Sequence, residues 1–238
     1  METSLSHKAS TLKPEYDKIK FNNGILNFKN FKIIEIETPI FTLIDINYDY
    51  SKNEYLTISN YLNTSLKQVN NEKTAKYILG VKEIIGYLFC SGNPEEITIF
   101  IVGVPGAGKT TFTNLITDMF GNDKVSDMKP NDTERNIHVT SGLLGKHLNI
   151  MRDLDSKPVE NIGLLKQMRG YESLDVNPKG KNIITIPKEE VPKNLISCNQ
   201  MPIFKNIDDA FQETAIFIEF KHRFRGTKIQ KGGLMEEA

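Results

Sequence analysis

The chain reads as an α/β protein with a mostly parallel sheet flanked by helices, preceded by a small α+β segment. Three observations predict this. A short apolar run runs into a glycine-rich loop and then an amphipathic helix between residues 99 and 121. Further short apolar runs follow at intervals up to residue 220. The stretch before residue 90 instead pairs turn-rich β patterning with helical patterning.

In order along the chain, residues 1–15 read as a flexible tail rich in Ser, Thr and Lys. Residues 19 to 47 read as β structure, with turns at Asn22-Asn23-Gly24 and at Lys29-Asn30. Residues 54 to 90 read as helices, and Ala75, Ile78, Leu79, Ile85, Leu88 and Phe89 fall on one apolar stripe. Residues 16–92 together are expected to form a small collar segment. The polar connector SGNPEE leads into an α/β block over 93–224, and residues 225–238 read as a loose tail. Strand candidates in the block are 99–102, HLNIM (147–151), NIITI (182–186), NLISC (194–198) and AIFIEF (215–220). In a parallel sheet of this kind, ligands sit at the carboxyl ends of strands, so the residues just after each strand are the ones to inspect.

At 238 residues, with 39% hydrophobic and 25% charged residues, the composition is that of an ordinary soluble protein with a real core. Formal net charge is zero, so any nucleic-acid contact has to be a local patch. Cys90 and Cys198 are far apart and suggest neither a disulfide framework nor a zinc site, which fits a reduced cytoplasm. The polar amino terminus does not fit a signal peptide, and no apolar run has the length of a membrane span.

The first site candidate is Gly103-Val104-Pro105-Gly106-Ala107-Gly108-Lys109-Thr110, followed by Thr111, which matches the P-loop spacing. Glycines let backbone N–H groups approach phosphate oxygens, and the helix that follows aims its amino terminus at them. In this pattern Lys109 neutralises the β and γ phosphates and the Thr110 hydroxyl ligates Mg²⁺. A glycine turn that fitted by chance would lack the apolar strand before and the helix after, and both are present. The motif does not distinguish ATP from GTP. A Mg²⁺-bound nucleotide also needs a carboxylate and a polar group to align water. HLNIM is followed by Asp153 and Asp155, either of which is a candidate acid. Asn149 and Arg152 interrupt the apolar run there. NLISC is followed by Asn199, whose amide suits both water and phosphate.

Taken together, GVPGAGKTTFTNLITDMFG, LLGKHLNIMRDLD, LLKQMRGYESLDVNPKGKN and LISCNQMP followed by DDAF resemble the superfamily 3 helicases. These are AAA+-type P-loop motors, and the similarity is to their viral, phage and plasmid primase–helicase group. FNNGILNFKNFKIIEIETP and KEIIGYLF are also similar to that group's sequence ahead of the motor. The resemblance implies an ATP-dependent DNA helicase that hydrolyses ATP with Mg²⁺ to move along single-stranded DNA. It implies a homo-oligomeric, hexameric ring with ATP at subunit interfaces, and a primase or initiator as further partner. It places the metal-shell acid on Asp153 and the γ-phosphate sensor on Asn199. Lys179 and Lys181 fall in its DNA-touching hairpin. The location implied is the cytoplasm, or the host cytoplasm for a virus-encoded chain, with no membrane partner.

Two departures matter. Where the family carries arginines after its Asp-Ala pair, this chain reads Asp209-Ala210-Phe211-Gln212-Glu213-Thr214. An arginine finger is worth about 10³ or more in rate, and Arg223 and Arg225 are the candidate substitutes. No primase module is expected ahead of the motor and no winged helix after it. An ATP-binding assembly or regulatory subunit with weak turnover is therefore the alternative. A small-molecule kinase fits less well, because only Arg135 and Arg152 lie between the glycine loop and Asp153. A GTPase lacks its Asn-Lys-x-Asp run.

Overall fold

The computed structural model of the chain describes residues 14–36, 40–53, 55–152, 154, 162–201, 203–204 and 209–224. It divides into two compact units. One comprises residues 1–52 and 89–91, and the other residues 53–88 and 92–238.

In the first unit, β1 (Glu15–Phe21), β2 (Gly24–Asn27), β3 (Lys32–Ile34) and β4 (Thr42–Asp45) form a sheet in the order β3-β2-β1-β4. β1 and β2 are joined by the tight turn expected at Asn22-Asn23 and pair antiparallel, whereas β4 adds to β1 in parallel. Ile19, Phe21, Ile25, Ile44 and Ile46 are buried. Phe21 also meets the rings of Tyr48 and Tyr50 edge-on at 6.0 and 5.5 Å.

The second unit opens with α1 (Leu56–Ser65) and α2 (Asn71–Leu88). The side chain of Asn70 caps α2 by accepting from Lys73 N at 2.8 Å. Its buried face is Thr74, Ile78, Val81 and Leu88. Leu79, expected on the apolar stripe, is instead 57% exposed.

The central sheet follows: β5 (Thr98–Gly103), β6 (Val125–Ser126), β7 (Leu148–Met151), β10 (Lys193–Cys198) and β11 (Ala215–Phe220), in the order β11-β5-β10-β7-β6 and parallel throughout. Around it lie α3 (Lys109–Phe120), α4 (Pro130–Arg135), α5 (Gly163–Arg169) and α6 (Asp209–Glu213). The fold class read from the sequence is therefore the one observed. β10 is buried at all six positions, as a strand covered on both faces must be. β11, at the edge, alternates buried and exposed residues towards its end. One core cluster joins Phe100, Met151, Leu154, Ile162, Leu165, Ile196 and Phe211.

NIITI does not join this sheet. β9 (Ile184–Ile186) pairs antiparallel with β8 (Leu174–Val176) as a separate two-stranded ribbon. Its inner side, Leu174, Val176 and Ile186, packs on Met128, Leu143, Met168 and Val191, while Ile183 and Ile184 stay exposed. Asn149, which breaks the apolar pattern of β7, is fully buried and satisfied. It accepts from Met128 N and Ser126 Oγ at 2.9 Å and donates to Met128 O and Asn194 Oδ1 at 3.0 and 3.1 Å. It thereby stitches the two-residue edge strand β6 to the sheet.

At the amino edge of the sheet, His147 Nε2–H donates to Leu88 O at 2.6 Å and its ring stacks on Phe120 at 5.2 Å. Lys193, also buried, donates to the same carbonyl at 3.4 Å. Burial, reinforced by the nearby positive charges of Lys193 and Lys124, holds the His147 pKa well below its ordinary value, against the opposing pull of the Leu88 carbonyl. His147 is thus neutral in the fold. Above about pH 6.5 it is neutral in the unfolded chain as well and contributes no pH dependence. Below that, only the unfolded chain takes up the proton, so stability falls by up to about 1.4 kcal/mol per pH unit. Urea titrations between pH 7 and 5 should show this loss, with a shallower slope in His147→Gln.

Candidate functional site

The site forms where β5 ends. Gly103 closes the strand beside β11, and a Cβ there would lie 2.8 Å from Phe220 Cβ and collide with the Phe220 carbonyl, so only glycine fits. The loop then turns through Gly106 (φ 82°) and Gly108 (φ 97°), both left-handed, before α3 begins at Lys109. α3 is anchored by its buried face of Phe112, Thr113, Ile116, Thr117 and Phe120. Ala107 is buried beneath the loop, while Val104 and Pro105 are exposed at its crown, and Thr110 and Thr111 are exposed in the first helical turn.

The loop's carbonyls are turned towards protein donors. Lys109 Nζ donates to Gly103 O and, at 3.0 Å, to Val104 O. Phe224 N donates to Gly106 O at 3.0 Å. Tyr61 Oη donates to Gly108 O at 3.0 Å. With four carbonyls so engaged, the amide edge of the loop is the side available to an anion, and the α3 dipole adds to it.

β10 lies between β5 and β7, and Cys198 pairs with Val102. The next residue, Asn199, therefore stands beside the start of the glycine loop. Its Oδ1 accepts from Lys109 Nζ at 2.8 Å. The structure thus brings Lys109 and Asn199, 90 residues apart, into one hydrogen bond. Cys198 beneath them is buried, which pushes its thiol pKa up to about 11 against the opposing charge of Lys109.

Asp153 and Asp155 lie outside the described residues, as does Arg225. Lys179 and Lys181 are exposed at the turn linking β8 to β9, where Lys181 N donates to Pro178 O at 3.2 Å around Gly180 (φ 71°). Asp175 and Thr185 tie the ribbon across its strands at 2.6 Å. Arg223 is exposed in the segment following β11. Among the described residues, no group of three or more His, Cys, Asp or Glu side chains could hold a metal by itself.

Tyr61 was not visible as a site residue in the sequence. It comes from α1, 47 residues before Gly108, and no spacing rule links the two. Its burial raises the phenol pKa above the ordinary value, against a hydrogen bond from Ser65, so it remains a donor. The tie between the segment 221–224 and the loop was equally hidden, because it is made by a backbone N–H.

The family described as "Family of unknown function (DUF5906)" matches residues 101–212 by its model. No curated protein matches the chain. Among solved structures, the A form of the apo NrS-1 C-terminal region is similar with a TM-score of 0.55 at 15% identity, over 88% of this chain and 45% of that one. A second structure of that region gives 0.49 at 16% identity, over 72% and 38%. The X-ray structure of JCV helicase gives 0.40 at 16%, over 68% and 42%. The chain spans less than half the length of these solved chains. At such identities the likeness to the NrS-1 region is one of fold. Among the described residues no helix is long and apolar enough to cross a membrane.

Adding one methyl group at Gly103 should displace β11 from the loop. Gly103→Ala is expected to cost about 1–3 kcal/mol in urea denaturation, and Tyr61→Phe about 1 kcal/mol for the lost hydrogen bond.

Proposed function

We propose that the chain is the motor part of an ATP-dependent DNA helicase of the superfamily 3 type, working with ATP and Mg²⁺. The observation that carries this reading is the hydrogen bond between Lys109 and Asn199, a loop lysine and a strand-end amide from adjacent parallel strands.

The residues present fit a nucleotide's phosphate chain. The glycine loop offers its amide edge, and three acceptors of the buried Lys109 ammonium are neutral oxygens. An anionic phosphate oxygen makes a stronger, charge-assisted partner than these. Thr110, exposed in the first turn of α3, is the proposed hydroxyl ligand of Mg²⁺, with Asp153 as the carboxylate of the metal shell. Bound ATP supplies a γ-phosphoryl group open to in-line attack by water. Lys109 holds charge at that end of the site, and Asn199, whose amide donates and accepts, orients the water. The β8–β9 turn presents Lys179 and Lys181 for contacts with a single strand's phosphates, without base preference. In the proposed assembly, copies of the chain form a hexameric ring around the strand, with a primase or initiator as partner.

A second reading is an ATP-binding assembly or regulatory subunit with little turnover. It is favoured by α6, where Asp209–Glu213 contains no arginine.

ATP hydrolysis by the purified protein, with and without single-stranded DNA, decides between them. Turnover that rises with DNA and vanishes in Lys109→Ala supports the motor. Tight ATP binding without turnover under either condition supports the regulatory subunit. For a motor, Asn199→Ala should lower kcat by about 10²-fold or more while ATP binding persists. Replacing Lys179 and Lys181 together by Ala should reduce the slope of log affinity for single-stranded DNA against log salt by roughly 0.7 per lysine.

A further inference from the structure

We infer that the groove between α2 and the open edge of β11 is a docking site for this chain's own segment Leu234-Met235-Glu236-Glu237. The inference is independent of the nucleotide site proposed above.

β11 is an outer strand of the central sheet, with β5 on one side only. Thr98 N donates to Thr214 O, so the main-chain groups of residues 214, 216, 218 and 220 face β5 and those of 215, 217 and 219 face outwards. α2 closes part of this outward side, where Glu219 N donates to Tyr77 Oη at 2.7 Å. Two residues earlier, the N–H and C=O of Phe217 have no hydrogen-bond partner among the described residues. An edge left in this state is a template for a further extended segment.

The groove beside Phe217 has a volume of about 440 Å³, and its lining includes Lys73, Lys76, Tyr77, Val81, Ile84 and Phe217. α2 runs antiparallel to β11, since Gln68 ahead of the helix meets Lys221 while Tyr77 meets Glu219. The groove therefore has two ends of different chemistry. Lys73 and Lys76 lie towards the carboxyl end of β11, and Val81 and Ile84 towards its amino end. Both lysines are exposed, and neither has an ion pair among the described residues. An occupant running parallel to β11 needs an apolar side chain followed by a carboxylate.

Residues 225–238, RGTKIQKGGLMEEA, lie outside the described residues. Their charges are Arg225, Lys228 and Lys231, which the groove lysines repel, and then Glu236 and Glu237 directly after Leu234-Met235. In an extended segment Leu234 and Glu236 share a side, about 6.6 Å apart. That is close to the rise of about 7.5 Å along α2 from Lys76 to Val81. Leu234 thus meets Val81 and Ile84 while Glu236 meets Lys76, and the segment's main chain pairs with Phe217. Reach is sufficient. Phe224 is tied to Gly106 O, and Phe217 is about 10 Å along β11 from Phe220. The nine residues 225–233 span up to about 30 Å, and Gly232-Gly233 permits the reversal before Leu234.

The chain contains no tryptophan, so Leu234→Trp gives a single fluorophore in the full chain. At a dilution where sedimentation shows monomers, its emission should be blue-shifted and shielded from acrylamide. Lys73→Glu with Lys76→Glu on that background should shift the emission to that of exposed tryptophan. Adding Glu236→Lys with Glu237→Lys should restore the blue shift. Raising the salt should weaken the shielding in both charge arrangements, and circular dichroism checks that α2 stays intact in each variant. Exposed-type emission from Leu234→Trp at low salt, or a blue shift unchanged by Lys73→Glu with Lys76→Glu, overturns the proposal. Shielding that appears only in assembled protein also overturns it, because the segment then docks on a neighbouring copy.

Discussion

The ammonium of Lys109 gathers oxygens from the ends of two neighbouring strands, and that convergence sets requirements on everything around it. Asn199 can reach the lysine only if β10 lies against β5 with Cys198 opposite Val102. β10 can lie there only if it can be covered on both faces: all six of its residues are buried, with Leu195, Ile196 and Cys198 apolar and Lys193 and Asn194 hydrogen-bonded. β7 is then displaced to the far side of β10, and β11 takes the other flank of β5. Gly103 belongs to the same constraint, since β11 approaches the start of the loop too closely for any side chain.

Polar chemistry is concentrated at both edges of the sheet, with opposite consequences. At the amino edge, His147 and Lys193 are buried on a single helix-end carbonyl, Leu88 O. Both side chains and Leu88 are buried, so the cluster fixes the end of α2 against the sheet. At the carboxyl edge, Lys109 and Asn199 meet at the glycine loop. Tyr61 and Phe224 approach the loop from distant parts of the sequence and grip its carbonyls rather than its amides. The loop is braced from behind and left available in front.

The glycine loop was legible because its chemistry is local: the glycines, the lysine and the following helix are contiguous, so spacing alone carries the geometry. β10 and β11 were legible as apolar runs. NIITI was read as one more strand of that series because a short run with three isoleucines does not reveal its partner; here Ile184–Ile186 pairs with β8, and Ile183 and Ile184 remain exposed. Asn149 looked like a flaw in β7 because its four hydrogen bonds go to Ser126, Met128 and Asn194, which lie 21 to 45 residues away along the chain. The contacts of Tyr61 and of residue 224 with the loop were invisible for a related reason. One acts through a lone hydroxyl, the other through a main-chain N–H that any residue but proline supplies.

β5 carries the glycine loop, yet both strands that pair with it, β10 and β11, lie roughly a hundred residues further along the chain. During synthesis at about 5–20 residues per second, β5 therefore waits on the order of ten seconds with its hydrogen-bonding edges open. Parallel pairing at such separation is slow in any case, because the loop-closure entropy has to be overcome before contacts form. The strand on which the phosphate loop depends is thus the part of the nascent chain most exposed to mispairing, and a ribosome-associated chaperone would have its longest work to do there.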